Sequence, residues 1–438
     1  MRTFDSIGIG VPEILLPRAG VDLHKWAVVA CDQYTSEPEY WARVADEVGE
    51  APSTLRLIFP EVFLGRADAD ERIARIQAAM ASYLADGVLT GAEGFVYVER
   101  TAANKLRRGL MVALDLDAYD YTKGSTSLVR ATEGTIVDRL PPRIRVREGA
   151  PVELPHIMVL VDDPEGTVIE PLTAARDRLE RVYDFDLMEG GGHLTGYRVT
   201  DPAAEARVVA ALEALAAPGP FRARYGLADD APVLLYAMGD GNHSLATAKA
   251  IWEQAKAAGT TTPDDPRRYA LVELVNLHDA SLEFEPIHRV LFEVAGGFDP
   301  VDSLTTFLEG GVEAEPAESA AEMAAKVEAG GQKVGVITAR GYQVLTLTKP
   351  QGNLPVGSVQ PWLDALGASR VFRELDYVHG ADVVDRLGRK PGNVGLFLPG
   401  MDKHDLFKSV ILDGALPRKT FSMGEAEEKR FYMEVRRL

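Results

Sequence analysis

The chain has 438 residues, 46% of them hydrophobic, with 66 acidic against 47 basic side chains and a formal net charge of -19. Its length suits two domains, or one large domain with an appendage. A balance this acidic, with no Lys/Arg block and no apolar run of membrane-spanning length, sets aside nucleic-acid and membrane partners.

The elements follow in chain order. "KWAVVAC" (Lys25–Cys31) reads as a buried strand. "SEPEYWARVADEVG" reads as a helix, with Ser36 as its N-cap and Pro38 in its first turn. Ile73, Ile76, Met80 and Leu84 have helical spacing within Asp68–Gly87, and Gly87 is the expected stop. "GFVYVERT", "GLMVALDL", "PHIMVLVDD" and "PVLLYAMGD" read as strands. "DPAAEARVVAALEALAA" and "HSLATAKAIWEQAKAAG" read as helices. "RYALVELVNLHD" and "EFEPIHRVLFEV" are strand-rich. At "AGGFDP" a Gly/Pro cluster marks a change of character, after which short helices and strands alternate. The expectation is a mixed α+β fold, with a main domain over 1–295 and a smaller C-terminal α+β region over 296–438.

Cys31 is the sole cysteine. It allows no internal disulfide and no multi-cysteine metal or cluster chemistry, and it fits a cytoplasmic location. The opening "MRTFDSIGIGVPEILLPRAG" has no continuous apolar stretch, so no signal peptide is expected.

The chemistry concentrates at Gly239-Asp240-Gly241-Asn242-His243-Ser244, where an apolar run hands over to a helix. The first N–H groups of a helix lack partners, and its dipole favours an anion there. Two glycines permit a tight turn and close backbone approach. Asp240 is read as a general base or a metal-binding group and His243 as an acid/base or phosphate donor, with Gly241, Asn242 and Ser244 on the ligand. The plainer reading makes the string a capped turn with a hydrogen-bonded histidine. In "SLVRATEGTIVDRLPPRIRVRE", Arg130, Arg139 and Arg143 lie beside Thr132 and Glu133. Arg130 is the candidate phosphate cation and Glu133 the candidate carboxylate near an attacking hydroxyl. His288 and Arg289 in "FEPIHRV" are a further pair, against a plainer reading as core. Asp32 and Gln33, at the end of the first apolar run, are candidate substrate contacts. His156 is assigned to the core. No histidine shows metal-ligand spacing, so no resident metal is expected.

Four stretches together carry a resemblance: "WAVVACDQYTSEPEYW", "GDGNHSLATAKA", "LVELVNLHDASLEFEPIHRVL" and "LPRKTFSMGEAEEKRFYMEVRRL". On them the chain is identified as a member of the family called domain of unknown function 1015. Many members carry Asp-Gly-His-His-Arg where this chain has Asp240 to Ser244. That string is similar to the phosphate-binding turn of the ParB/sulfiredoxin-like fold, which includes kinases of free serine. The resemblance implies a ParB/sulfiredoxin-like nucleotide-binding core, ATP or ADP with Mg²⁺, and phosphoryl transfer to a small hydroxyl compound. Ser244 departs from the motif arginine and removes a bidentate phosphate contact. The alternatives are a non-catalytic sensor of a phosphorylated or acidic metabolite and, less supported, a metal-dependent phosphoesterase. A homodimer is compatible with the sequence, which does not set the oligomeric state.

Overall fold

The computed structural model describes residues 1–135, 140–424 and 428–438. The fold is mixed α/β, with helices and several sheets. Two compact units form, one of Met1–Leu282 with Gly424–Leu438 and one of Glu283–Met423. The second unit is thus inserted in the first, and the chain's last residues return to the first. Gly296 and Gly297, the expected domain boundary, lie instead inside the second unit, between the strand Phe284–Phe292 and the helix Pro300–Phe307.

In the first unit a large twisted sheet has strands in the order 180–186, 193–199, 95–102, 105–115, 269–276, 158–161, 236–240, 129–130 and 119–120. The strand Met158–Val161 lies parallel to Tyr269–Asn276 on one side and antiparallel to Tyr236–Asp240 on the other. Alternation assigns the two faces. Val96 and Val98 pack with Met111, Leu271, Trp26 and Trp41. Phe95 and Tyr97 pack on the opposite face with Val112, Val159, Met238, Leu245 and Trp252. The helix Asn242–Ala257 lies on that second face, through Leu245, Ala248, Trp252 and Ala255. Burial on both faces explains why these strands read as nearly continuous apolar runs.

Charges are buried within this sheet as well. Glu273 is 1% exposed in the middle of its strand. Its carboxylate meets Arg107 at 3.3 Å and Arg430 at 2.9 Å. Gly109 makes the room, since a Cβ there would sit 2.4 Å from Glu273 Oε1.

The helices Pro38–Val48 and Ala69–Ala85 form close to the expected bounds. Two expectations fail locally. Ser36 does not cap the first of them, whose N-cap is Glu37 without a side-chain cap bond. Lys25–Cys31 is not a regular strand either. Leu23–Trp26 is a short helix, and the residues after it run extended against the C-terminus, with Val29 bridged to Phe431. Apolarity reported burial correctly there, but periodicity does not separate short buried extended segments from helical turns.

The second unit has its own sheet, in the order 312–317, 341–347, 333–338, 394–397, 284–292 and 374–379, with 421–423 paired to 284–292. Leu291, Leu304, Val334, Leu345, Trp362 and Leu396 anchor one of its cores.

Candidate functional site

The strand Tyr236–Asp240 ends at Asp240, and the helix starts at Asn242. Gly241 between them has φ 78°, and a Cβ there would lie 3.0 Å from the Ile157 Cα. Both the left-handed backbone and the close approach demand glycine. The N-cap residue is Gly241, which offers no side-chain cap bond. Asp240 Oδ1 accepts instead from the N–H of Gly241 at 2.8 Å. The Oδ1 of Asn242 is buried without a hydrogen-bond partner. The plainer reading of this turn, with Asp240 or Asn242 as an ordinary cap, is therefore not what the fold uses.

Asp240 Oδ2 is 3.1 Å from the Nζ of Lys429. Burial pushes the Asp240 carboxyl up, but the Lys429 ammonium, His156 and the Gly241 N–H outweigh it and hold it below the usual carboxylate range. An acid held ionised in this way is a weak proton acceptor and a firm anchor for a cation.

Buried arginines position Lys429. Arg100 donates to the Lys429 carbonyl at 3.1 Å, and Arg107 donates to the Glu428 carbonyl at 3.0 Å. Arg430 pairs with Glu273 at 2.9 Å and with Glu434 at 2.6 Å. Residues 430–432 also run antiparallel to 28–30, with Ala30 N to Arg430 O at 2.9 Å and Tyr432 N to Val28 O at 2.8 Å.

The same tail carries Tyr432 inward. Its hydroxyl lies 2.7 Å from His156 Nδ1 and accepts from the Cys31 N–H at 3.2 Å. His156 Nε2 faces Asp32 Oδ2 at 3.8 Å. Gln33 donates to Asp32 Oδ1 at 3.0 Å. Glu61 is tied in by its N–H to the Cys31 carbonyl at 2.7 Å and by its carboxylate to Arg143 at 2.6 Å. Burial raises the Glu61 carboxyl, opposed by Arg143 and assisted by Asp32. Burial likewise keeps the Cys31 thiol protonated. The result is one polar cluster of Asp32, Gln33, Glu61, Arg143, His156, Asp240, Lys429 and Tyr432.

The expected residues divide. Asp32 and Gln33 join Asp240, Gly241 and Asn242 in the neighbourhood of His156 and Lys429. His243 and Ser244 occupy the first turn, partly buried, with the His243 carbonyl accepting from Thr247 at 2.7 Å. Glu133 is partly buried next to Thr132, whose hydroxyl donates to the Met238 carbonyl at 2.8 Å. Arg130 does not reach the turn. Its guanidinium donates to the carbonyls of Ser127, Pro232 and Val233, before the strand that ends at Asp240. Arg139 lies outside the described residues.

His288 and Arg289 belong to the second unit and are engaged there. Arg289 is fully buried and donates to Gln360 and to the carbonyls of Ile287, Arg418 and Lys419. His288 Nδ1 accepts from Leu398 N at 3.2 Å, and burial, then Arg289, lower its pKa to about 4.

Lys429, Tyr432, Glu61 and His156 escaped the sequence reading, His156 because it was assigned to the core. The tail does hold a signal. Charged Arg430, Glu434 and Arg436 interleave with Phe431, Met433 and Val435, and all six are buried. Charges alternating with apolar residues imitate an exposed strand face, and only tertiary pairing shows otherwise.

The chain belongs to the family described as "Protein of unknown function (DUF1015)", whose model matches residues 15–377. No curated protein matches the sequence significantly. Among solved structures it is similar to a free serine kinase in complex with AMP, at 11% identity and TM-score 0.39 over 76% of this chain and 93% of that one. It is similar to a conserved hypothetical protein from Pyrococcus furiosus, at 13% identity and TM-score 0.37 over 77% and 97%. It is also similar to SbnI with C-terminal truncation from Staphylococcus aureus, at 10% identity and TM-score 0.35 over 72% and 82%.

Proposed function

We propose that the chain is a nucleotide-dependent phosphotransferase acting on a small hydroxyl compound, with a ParB/sulfiredoxin-like core in its first unit. The observation that carries this reading is the Lys429 ammonium held by Asp240 at the strand end that leads into the helix Asn242–Ala257, whose N-cap is a glycine. First-turn N–H groups and an adjacent ammonium are what phosphate oxygens need. Lys429 takes the place of the arginine that Ser244 removes. It does so as a point charge, which neutralises phosphate without the planar fork of a guanidinium.

In this reading Asp240 is the anchor of Lys429 rather than the base. Asp32 is the carboxylate for the attacking hydroxyl, and it lies across His156 from Asp240. Among the described residues no group of three or more His, Cys, Asp or Glu is arranged to hold a metal ion. Mg²⁺ fits this site as an ion carried by the nucleotide phosphates, where it would neutralise charge on their oxygens.

The test is binding of ADP and ATP, with and without Mg²⁺, by thermal shift and calorimetry. The expected outcome is a raised midpoint for the wild type. Lys429→Met should weaken affinity about 10- to 100-fold, the size of a lost charge-assisted hydrogen bond. No shift with any nucleotide sinks the reading. A shift with phosphorylated or carboxylate metabolites alone would make the protein a metabolite sensor instead.

A further inference from the structure

The gap between Asp32 Oδ2 and His156 Nε2, 3.8 Å, is too wide for a direct hydrogen bond. A hydroxyl oxygen set to one side of the line between them can lie about 2.7–2.9 Å from both, donating to one and accepting from the other. Which side donates depends on the imidazole tautomer, and the surroundings decide that. The Tyr432 hydroxyl already accepts from the Cys31 N–H, so its own proton is directed elsewhere. Two acceptors lie within its reach. The Cys31 sulfur is a neutral thiol, a poor acceptor. The imidazole Nδ1, at 2.7 Å, is the better one. In the neutral ring, a proton donated by Tyr432 to Nδ1 leaves the lone pair on that nitrogen and puts the imidazole proton on Nε2, facing Asp32. Gln33 holds the other Asp32 oxygen, leaving Oδ2 toward the gap. His156 is nearly buried while the Asp32 side chain is 29% exposed, so the gap opens toward solvent on the Asp32 side.

We propose that the phosphoryl acceptor places its hydroxyl in this gap, donating to Asp32 Oδ2 and accepting from His156 Nε2–H, with Tyr432 as the positioning residue that fixes the tautomer. This deepens the phosphotransfer reading and rests on it. The co-reactant is a nucleoside triphosphate. The acceptor O–H bond breaks and its proton passes to Asp32. The acceptor oxygen forms a bond to the γ-phosphorus. The bond from that phosphorus to the β,γ-bridging oxygen breaks, and its electron pair leaves with the nucleoside diphosphate. Asp32 returns its proton to water as product departs. The other groups in the field of His156 are Glu61 with its Arg143 partner and Asp240 with its Lys429 partner, and Cys31 faces Tyr432.

The experiment uses the full chain labelled with ¹⁵N-histidine. At alkaline pH the His156 resonances should report a protonated Nε2 and an unprotonated Nδ1, and Tyr432→Phe should yield a mixture of tautomers. A proton on Nδ1 in the wild type overturns the proposal. ADP release from ATP with Mg²⁺, water serving as the probe acceptor, is measured in parallel. Asp32→Asn, at a partly exposed position, should lower turnover ~100-fold or more, the range of a lost general base, with ADP affinity unchanged. Tyr432→Phe should lower turnover and leave the KM for ATP near the wild-type value. Wild-type turnover in Asp32→Asn overturns this seat while the nucleotide reading stands. A wild type that neither binds ADP nor releases it from ATP overturns both.

Discussion

Gly241 is where a single residue matters most for the site. Gly241→Ala puts a side chain on a backbone at φ 78°, facing the Ile157 Cα at 3.0 Å. The expected cost is about 1–2 kcal/mol from the left-handed conformation alone, with further loss as Ile157 shifts, and a urea midpoint measures it. His193 gives a pH-dependent prediction. Its Nδ1 lies 2.7 Å from Asp186 Oδ1 and its Nε2 lies 2.7 Å from Asp184 Oδ1, so both nitrogens carry protons when these contacts hold. The bond to Asp186, opposed by burial and joined by Asp184, raises its pKa. A raised folded pKa adds stability that is complete below the unfolded value and is lost as pH rises through the folded one. Stability should therefore fall modestly between a pH below the ordinary histidine value and a pH above the raised folded one, and His193→Gln should flatten that slope. Equal urea midpoints at both pH values would refute it.

The element that organises the site is the C-terminal segment Glu428–Leu438. It has little regular secondary structure, only the short strand Arg436–Arg437 among its described elements. It is held by side chains instead: Arg430 between Glu273 and Glu434, and Arg436 on Glu153 at 2.5 Å. Buried ion pairs recover their desolvation only when every partner is present, so removing one is costly. Arg430→Met should destabilise the first unit by about 3–5 kcal/mol, because Glu273 and Glu434 are left buried with less compensation. Replacing Arg430 and Glu434 together by apolar residues should cost less than the sum, and a double-mutant cycle in denaturant reads the coupling. Arg107→Met should displace Lys429 as well, and would show itself as weaker ADP binding beyond its effect on the melting midpoint. These residues were invisible as a set in the sequence. Arg100 and Arg107 share one hairpin, but Glu273 and Arg430 lie far from it along the chain, and each reads singly as a surface charge.

At the scale of the whole molecule, the second unit is an insertion with its own sheet and cores. A fragment of residues 283–423 should give its own cooperative thermal transition, whereas a first unit ending at Leu282 should lose both Lys429 and Tyr432 and with them the nucleotide binding proposed above. A noncooperative melt of the fragment would show that it depends on the rest of the chain. Much of the mixed fold was legible from periodicity. The strands Phe95–Ala102, Lys105–Asp115 and Tyr269–Asn276 and the helices Ala69–Ala85 and Asn242–Ala257 fall where their apolar spacing puts them. Local chemistry likewise marked Gly239 to Ser244 as a polar turn at a helix start, because glycine and short polar side chains have few other uses there. What only the tertiary structure decided is which charges meet that turn. The pairing of Lys429 with Asp240, and those of His156 with Asp32 and with Tyr432, are contacts between distant segments. Such contacts leave no periodic trace, because the hydrogen bonds and buried ion pairs that form them are satisfied one partner at a time.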